Sequence, residues 1–390
     1  MKRLLLTLSV VVALASGACD DDGPLGPDSP SFSTGRAGPS ALSVMTWNVY
    51  VGADLTQLLG VEHDWQVPCA VNDVWEDVVA TDFPARAVAI ADQIEAYAPH
   101  VIGLNEVSTF DFAVDDSKDL VFLDVLEAEL ASRGLAYDVP VDPTTSQPAV
   151  STNFQVQLPI VFGECPVKPT EAITYTEYDV ILLRDDVSYT GANHDNFEQP
   201  LPLPLPGGVT LPKFSGWASV DIEHKDLPYR VFTTHIEPAD TGPCQTDAVL
   251  LFIHTEQAGE LMQELDNSPY PVILTGDLNS DASGCTTPTY PSLIGDGFVD
   301  AWTLGRPLGD GFTSNQADDL LNGASALWHR IDFILYRDAF TTRTGQFRGS
   351  SHAELVGEEQ ADRTPGGLWP SDHAGVVADL RIAPGRGNAE

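Results

Sequence analysis

Basic residues are scarce in this sequence. Only 19 Lys and Arg residues stand against 57 Asp and Glu residues, so the formal net charge is −38. Binding to a nucleic-acid backbone depends on clustered Lys and Arg side chains that displace counterions from the phosphates, and the sequence has no such cluster. The composition therefore argues against a protein that grips long nucleic acids. A solvated acidic surface accounts for most of the charge.

Cysteine is also rare, with five residues in 390, and no Cys-x-x-Cys pair occurs. A zinc cluster with the usual ligand spacing is therefore not expected. Cys19 ends the N-terminal apolar segment, which leaves four others. An even number in an exported chain predicts two disulfides with three possible pairings, and free buried thiols are the alternative. The four residues are Cys69, Cys165, Cys244 and Cys285.

The N-terminus has the features of an export signal. Two basic residues precede an apolar run from Leu4 to Ala15, which is too short to span a membrane as a mature helix. Small residues then lead into Cys19, as in a bacterial lipobox, although Ser16 stands where Leu is usual. We therefore expect either a lipoprotein of the bacterial cell envelope, anchored through a lipidated Cys19, or simple secretion.

These features define the expected domain organisation. Residues 1–18 are predicted to be a signal peptide, and residues 19–40, rich in Asp, Pro, Gly and Ser, a disordered tether. The rest of the chain shows no internal repeat and no second linker, and 43% of all residues are hydrophobic. We expect one domain over residues 41–384, a short tail over 385–390, and a monomer.

Polar residues follow a short apolar strand in the segment 271–280. Val272 to Leu274 are predicted to form a buried strand. Asp277 and Asn279 lie two residues apart, so an extended chain would point them the same way. Ligands commonly bind at such strand ends in α/β folds. A Gly-Asp turn with a capping Asn is the structural alternative.

A buried acid is the second signal. Glu106 lies within the apolar strand predicted over residues 101–107, where an unpaired carboxylate would cost on the order of a few kcal/mol. Binding a metal would remove that cost, and a salt bridge to a base such as Arg86 is the alternative. Similar residues occur at other predicted strand ends, so they would converge on one face of a sheet stack. The full set is Asn48, Glu106, His235, Asp277, Asn279, Asp332, Asp372 and His373.

Periodicity predicts the main helices. They are expected over 83–97, with Asp82 as its N-cap, over 118–133 and over 246–266. A hairpin of two strands is expected over residues 214–234.

Two proline-rich segments interrupt this pattern. Residues 138–172 are predicted to be an irregular surface insertion. The Leu-Pro repeat over 201–212 is predicted to be a polyproline or hairpin-tip segment without a chemical role.

Six motifs in order resemble the endonuclease/exonuclease/phosphatase superfamily, which includes pancreatic-type deoxyribonucleases, neutral sphingomyelinases and inositol polyphosphate 5-phosphatases. The resemblance covers residues 42–382, and Asn105 stands where the family usually has Gln before its acidic ligand. The motifs are Thr46-Trp47-Asn48-Val49, Ile102-Gly103-Leu104-Asn105-Glu106-Val107, Thr234-His235, Gly276-Asp277-Leu278-Asn279, Arg330-Ile331-Asp332-Phe333-Ile334 and Ser371-Asp372-His373.

The resemblance implies a four-layer α/β/β/α sandwich with two packed mixed β-sheets, and metal-dependent hydrolysis of a phosphoester. Glu106, helped by Asn48, would hold Mg²⁺ or Mn²⁺. Asp277 would orient or deprotonate the attacking water, and Asn279 would donate to the phosphoryl group.

The resemblance also implies two histidines at the phosphate. His235 would be oriented by Asp332, and His373 by Asp372. An Asp behind each His would fix its tautomer and favour the protonated, phosphate-binding form.

Net charge favours a lipid or small-molecule phosphoester as substrate, because a charge of −38 repels polyanions. A secreted nuclease is one alternative, and a catalytically inactive surface-binding lipoprotein is another. Substrate specificity would lie in the insertions at 55–80, 138–172 and 303–326. Four arginines could contact nucleic acid, although ordinary surface pairing is the favoured role: Arg330, Arg343, Arg348 and Arg363.

Overall fold

A computed structural model describes residues 41–163, 168–169, 171–204, 210–242, 244–305, 309–338 and 349–382. The predicted signal peptide, tether and C-terminal tail lie outside these ranges, as do Cys165, Arg343 and Arg348. The predictions about those residues, including export and lipidation, therefore stay predictions. Within the described ranges, no helix is both long and apolar enough to cross a membrane.

Strands and helices alternate along the described chain. The helices are α1 (Val67–Ala80), α2 (Phe83–Tyr97), α3 (Phe122–Ser132), α4 (Ala248–Asp266), α5 (Thr289–Gly295) and α6 (Ala301–Gly305). The strands are β1 (Leu42–Asn48), β2 (Val101–Phe112), β3 (Leu120–Val121), β4 (Tyr137–Asp138), β5 (Val150–Ile160), β6 (Glu171–Arg184), β7 (Ser188–Asn196), β8 (Leu201–Pro204), β9 (Thr210–Lys213), β10 (Gly216–His224), β11 (Leu227–His235), β12 (Asp240–Gly242), β13 (Gln245–Thr246), β14 (Val272–Asp277), β15 (Val299–Asp300), β16 (Asp332–Arg337), β17 (Gly349–Val356) and β18 (Gly375–Ile382).

Two mixed sheets form the centre of the fold. Sheet one has the order β17-β18-β1-β2-β6-β4, with β3 on β2 and β5 on β6, and sheet two has the order β15-β16-β14-β11-β10-β7. Only β1–β2 and β11–β14 pair in parallel within these sheets, as far as the described strands show. Two further hairpins, β8–β9 and β12–β13, stand apart as two-stranded sheets.

Three hydrophobic cores separate four layers. The outer face of sheet one packs on α1, α2 and α3, with Ile90 at its centre. The two sheets pack face to face through residues such as Val44 and Ile273. The outer face of sheet two packs on α4 and α5, where Leu274 lies in the same core as Leu261. The predicted four-layer α/β/β/α sandwich is confirmed.

Most predicted elements form as expected. Helix α2 spans residues 83–97, and the Asp82 side chain accepts from Ala85 N at 3.3 Å. The predicted helix over 118–133 is wrong at its start, because Leu120 and Val121 pair with β2 before the helix begins at Phe122. The longest described helix is α4, of 19 residues, within the predicted range. Strands β10 and β11 form the predicted hairpin.

The insertion at 138–172 is not irregular. Its centre forms β5, an eleven-residue strand that pairs antiparallel with β6. Phe154, Val156 and Leu158 alternate with polar residues there, which is the period of a strand. The surrounding prolines conceal that signal in the sequence. The insertion at 55–80 likewise contains the ordered helix α1.

Two disulfides were predicted among Cys69, Cys165, Cys244 and Cys285, and the described residues show one complete pair. Cys244 and Cys285 form a disulfide across 41 residues, and Cys69 is also disulfide-bonded. The first pair joins the loop between β12 and β13 to the loop after β14.

Arg86 joins the end of β1 to the segment before β18. Its guanidinium is fully buried and donates to the carbonyl oxygens of Val49 at 2.6 Å, Tyr50 at 3.1 Å and Pro370 at 3.0 Å. It makes no hydrogen bond or salt bridge to Glu106 within the described chain, so the salt-bridge alternative for that acid is wrong. Arg86 is instead a structural clamp on two segments that carry site residues.

Replacing Arg86 by Leu is expected to lower the free energy of unfolding by about 3–5 kcal/mol, because several buried carbonyl groups lose their donor. Arg381→Leu, on an exposed position of β18, is the matched control and should change stability little. Urea unfolding followed by circular dichroism measures both. Equal stability of the two variants would contradict the role assigned to Arg86.

Candidate active site

Strand register brings the predicted residues to one edge of the sandwich. His235, Asp277 and Asp332 are direct neighbours across β11, β14 and β16. In sheet one, Asn48 at the end of β1 pairs with Asn105 within β2. Since β1, β11 and β14 end at this edge and the antiparallel strand β16 begins there, residues distant in sequence meet in one site.

Gly276 makes the close approach of two strands possible. Its φ is +130°, and a Cβ at this position would lie 2.0 Å from the Thr234 carbonyl oxygen. Glycine is therefore required immediately before Asp277. Asn279 also has a positive φ, of 45°. Its side chain donates to the Ile236 carbonyl oxygen at 2.8 Å, so part of its donor capacity orders the loop.

Glu106 lies at a register shift in the pairing of β2 with β6 and has a φ of 56°. Its carboxylate reaches the end of β1 and the segment that follows β1. Its Oε1 accepts from Asn48 Nδ2 at 2.9 Å, and its Oε2 accepts from Val51 N at 3.0 Å. Asn48 Nδ2 also donates to Asp277 Oδ2 at 3.2 Å. One amide therefore holds two acids from different sheets.

Asp277 is the central acid of the site. Its Oδ2 lies 3.8 Å from His235 Nε2 and 3.9 Å from His373 Nδ1. Its Oδ1 accepts from Asn279 N at 2.9 Å. Burial, and then the neighbouring charge of Asp332, raise the pKa of Asp277 well above its usual value. A carboxylate of raised pKa is suited to accept a proton.

His373 is paired with Asp332. His373 Nδ1 donates to Asp332 Oδ2 at 2.9 Å, so the predicted pairing of Asp332 with His235 is wrong. Burial opposes the charge on the imidazole, but Asp332 and Asp372 together raise the pKa of His373 well above its usual value. These two acids therefore favour the protonated form of the imidazole. Asp332 pairs with His373 and not with His235 because the loop before β18 places His373 beside Asp332, the first residue of β16.

Asp372 does not orient His373 through a hydrogen bond, so the second predicted pairing is also wrong. Its carboxylate accepts from Ser371 Oγ at 3.3 Å, and its backbone carbonyl oxygen accepts from Asn315 N and Gln316 N. Burial raises the pKa of Asp372. Asp372 acts on His373 through charge and on the 313–316 loop through its backbone.

His235 differs from His373 in protonation. Burial, and then the charge of Lys213, lower the pKa of His235 to about 3. Its Nδ1 is buried and has no hydrogen-bond partner among the described residues. The expectation that both histidines are protonated is therefore wrong for His235. A neutral imidazole can still donate one proton or accept one.

The site carries an excess of buried negative charge that suits a divalent cation. One ligand atom each from Asp277, Asp332 and His373 lies within 4.8 Å of the others. Because His373 Nδ1 donates to Asp332, the carboxylates of Asp277 and Asp332 are the donors in this group that could bind a cation. Asp332 Oδ1 is buried without a hydrogen-bond partner in the described part of the chain. Burial, and then Asp372 and Glu177, raise the pKa of Glu106 to about 7. Oxygen donors of this kind fit Mg²⁺ or Mn²⁺, whereas the roles of Asn48 and Glu106 as ligands stay predictions.

Asn105 is a positioning residue to which the sequence alone assigned no role. Its Nδ2 donates to Asp179 Oδ1 at 2.7 Å and to the Thr234 carbonyl oxygen at 3.1 Å. Its Oδ1 accepts from Asp277 N at 3.1 Å. It therefore ties β2 to both β11 and β14. An amide next to an acid inside an apolar strand was the available signal.

A cavity of about 520 Å³ opens over these residues. Glu106, His235, Asp277 and His373 are among the residues that line it. Apolar side chains of α1, β5 and β6 line it as well. Asp372 and Asn279 also line it, so the structure brings the predicted site residues around one opening, with Asn48 and Asp332 directly behind them.

Two of the four arginines suggested as nucleic-acid contacts can be placed. Arg330 is buried and pairs with Asp300 at 2.7 Å. Arg363 donates to the Gly367 carbonyl oxygen and lies 5.0 Å from the centre of the Trp369 ring. Both make contacts within the protein, but Arg330 is paired in the interior, so the expected surface pairing is wrong for it.

Comparison with known proteins agrees with this architecture. No family model matches the chain, and no curated protein matches it in sequence. Among solved structures, an endonuclease/exonuclease/phosphatase family protein from Leptotrichia buccalis is 15% identical, covering 87% of this chain and 99% of its own, with a TM-score of 0.50. Humanized D. rerio TDP2 is 18% identical, covering 87% and 99%, with a TM-score of 0.49.

A third similar structure, the endonuclease/exonuclease/phosphatase from Beutenbergia cavernae, is 22% identical over 88% of this chain and 72% of its own, with a TM-score of 0.46. At such identities the similarity concerns the fold. The chain has the endonuclease/exonuclease/phosphatase fold, as the order of its motifs implied.

Proposed function

We propose that this protein is an exported, divalent-metal-dependent phosphodiesterase that acts on a lipid or small-molecule phosphoester. The observation that carries the proposal is the buried row His235–Asp277–Asp332, joined to Glu106 through Asn48 at the edge of a cavity. With Asp372 and His373, the site holds four acids and two histidines, and few purely structural roles bring such a set together at one edge of a sandwich.

The side chains divide the work of phosphoester hydrolysis. A divalent cation bound here would polarise the phosphoryl oxygen and offset charge on the leaving oxygen. Protonated His373 would donate to a phosphoryl oxygen, and Asp332 would hold it in that form. Asp277 would orient the attacking water and accept its proton. Neutral His235 would contact the phosphate through Nε2, the nitrogen nearer to Asp277.

The direct test is hydrolysis of bis-p-nitrophenyl phosphate by the purified full chain with Mg²⁺, with Mn²⁺ and with EDTA. We expect turnover that needs metal, which EDTA abolishes and added metal restores. The control variant is Glu256→Gln, an exposed acid on α4, which should retain activity.

A panel of sphingomyelin, inositol phosphates and DNA then separates the substrate classes. Hydrolysis of DNA in preference to the other two would favour a nuclease instead. If a folded, metal-loaded sample turns over neither the diester, nor p-nitrophenyl phosphate, nor any member of the panel, the enzyme proposal is wrong. A surface-binding role would then take its place.

A further inference from the structure

Four aromatic side chains of the cavity lining pack on one another: Trp75 of α1, Phe110 of β2, Phe154 of β5 and Tyr175 of β6. We call this cluster, together with the cavity-lining Leu203 and Leu211 of the β8–β9 hairpin, the apolar arm. Phe110 follows Glu106 by four residues on β2, so the arm lies further along this strand than the Glu106, Asp277 and His373 end of the same cavity. A ligand whose phosphate lay at the site could therefore extend directly into an apolar channel.

The Leu-Pro segment forms one wall of this arm. In β8, Leu201 and Leu203 are half-buried and line the cavity, whereas Pro202 and Pro204 between them are exposed. In β9, Leu211 lines the cavity and its neighbour Thr210 is exposed. The described part of the repeat thus places Leu201, Leu203 and Leu211 towards the cavity and leaves Pro202 and Pro204 exposed.

A buried ion pair holds this hairpin over the cavity. The hairpin joins neither main sheet through a described strand ladder. Lys213, at the end of β9, places its Nζ 2.6 Å from Glu237 Oε1 and 3.6 Å from Glu177 Oε1. Ser215 Oγ donates to the same Glu237 oxygen at 2.8 Å. These contacts therefore tie the wall to β6 and to the segment that follows β11.

The charges around the cavity select against a polyanion. Among the described residues that line it, Lys213 is the only Lys or Arg, and it is already paired with Glu237. Asp54, Glu177 and Asp318 add negative charge to the lining. Phosphates beyond the one at the site would find no free cationic partner. An uncharged apolar group would gain from burial against the leucines and aromatic rings.

We infer that the apolar arm binds the apolar chain of an amphiphilic phosphoester, so that the substrate is a phosphodiester or phosphomonoester carrying an extended alkyl or acyl group. This inference rests on the proposed function, because it places the phosphate of that substrate at the Glu106–Asp277–His373 end. The Leu-Pro hairpin is then a specificity-determining wall of the enzyme.

The test is a series of alkyl p-nitrophenyl phosphates from methyl to decyl, used below the concentrations at which they aggregate. For the full chain with Mg²⁺, kcat/KM is expected to rise about two- to fourfold per added methylene group until the arm is filled. Leu211→Asn should reduce the ratio of decyl to methyl kcat/KM about tenfold or more. Thr210→Asn, on the outer face of the same strand, should keep the wild-type ratio.

A binding measurement separates this inference from the proposed function. Decyl phosphate and ethyl phosphate are titrated into the full chain by calorimetry, and we expect tighter binding of decyl phosphate that Leu211→Asn weakens and Thr210→Asn does not. Hydrolysis of the methyl ester without any gain from chain length would overturn the inference and leave the proposed function standing.

The reverse outcome is equally informative. Selective binding of decyl phosphate without hydrolysis of any ester would retain the apolar arm as a binding site and reject the phosphodiesterase. Faster cleavage of DNA than of any alkyl ester would reject the amphiphilic substrate class.

Discussion

Replacing His373 by Ala is expected to lower kcat/KM for bis-p-nitrophenyl phosphate by about 10³-fold, the loss typical of one preorganised donor to a developing oxyanion. The reason is the pair that His373 Nδ1 forms with Asp332 Oδ2 at 2.9 Å. Asp332→Asn removes the charge that keeps the imidazole protonated and should be impaired to a similar extent. His352→Ala, an exposed histidine on β17, is the control and should stay active.

The pair also predicts a pH effect with a definite sign. The raised pKa of His373 keeps the folded protein's imidazole charged to higher pH than a free histidine. In Asp332→Asn that pKa falls, so activity should be lost at lower pH on the alkaline side of the profile. The pH dependence of kcat/KM reports this directly.

A double-mutant cycle distinguishes a working pair from two separate residues. If Asp332 acts through His373, the double variant His373→Ala/Asp332→Asn should be about as impaired as either single variant. Losses that multiply, or an alkaline limb that does not move in Asp332→Asn, would contradict the pairing.

Replacing Glu106 by Gln is expected to abolish metal-dependent activity while making the metal-free protein more stable above neutral pH. Burial, and then Asp372 and Glu177, raise the pKa of Glu106 from 4.5 to about 7. In the wild-type protein, the raised pKa contributes stability that is fully present below pH 4.5 and is lost as the pH rises through 7. Gln does not titrate, so the variant does not suffer this loss. The full effect corresponds to roughly 3 kcal/mol, at about 1.4 kcal/mol per pKa unit.

Hydrogen bonding reduces this gain. Both oxygens of Glu106 accept bonds, from Asn48 Nδ2 and from Val51 N, and Gln offers only one acceptor. Losing one bond costs about 1 kcal/mol, so the net gain at pH 8 is about 1–2 kcal/mol. At pH 4 the variant should show no gain.

Unfolding in urea with EDTA, at pH 4 and pH 8, measures the stability effect, and Glu256→Gln serves as the control. With Mg²⁺ at about 100 times its Kd, the wild type should gain about 2.7 kcal/mol, and Glu106→Gln should gain much less. A variant that binds Mg²⁺ as the wild type does would show that Glu106 is not a ligand and would direct attention to the carboxylates of Asp277 and Asp332.

Local sequence patterns determined much of the fold. The 3.6-residue period and the Asp82 cap predict α2 over 83–97, because both signals depend only on neighbours in the chain. Polar residues at the ends of apolar strands predict where Glu106, His235 and Asp277 meet. Alternating leucine and proline predict no role for 201–212 by themselves, since nothing local shows that the leucine face lies over a cavity.

The sequence by itself determined which residues gather at the edge of the sandwich, because strand ends and their polar residues are encoded locally. Only the tertiary structure decided which acid faces which histidine. Asp332 and His373 lie 41 residues apart, and their contact depends on the register of β16 and on the loop before β18. Likewise the positive φ of Glu106, the pairing of β5 with β6 and the choice of Cys285 for Cys244 arise from contacts between distant segments.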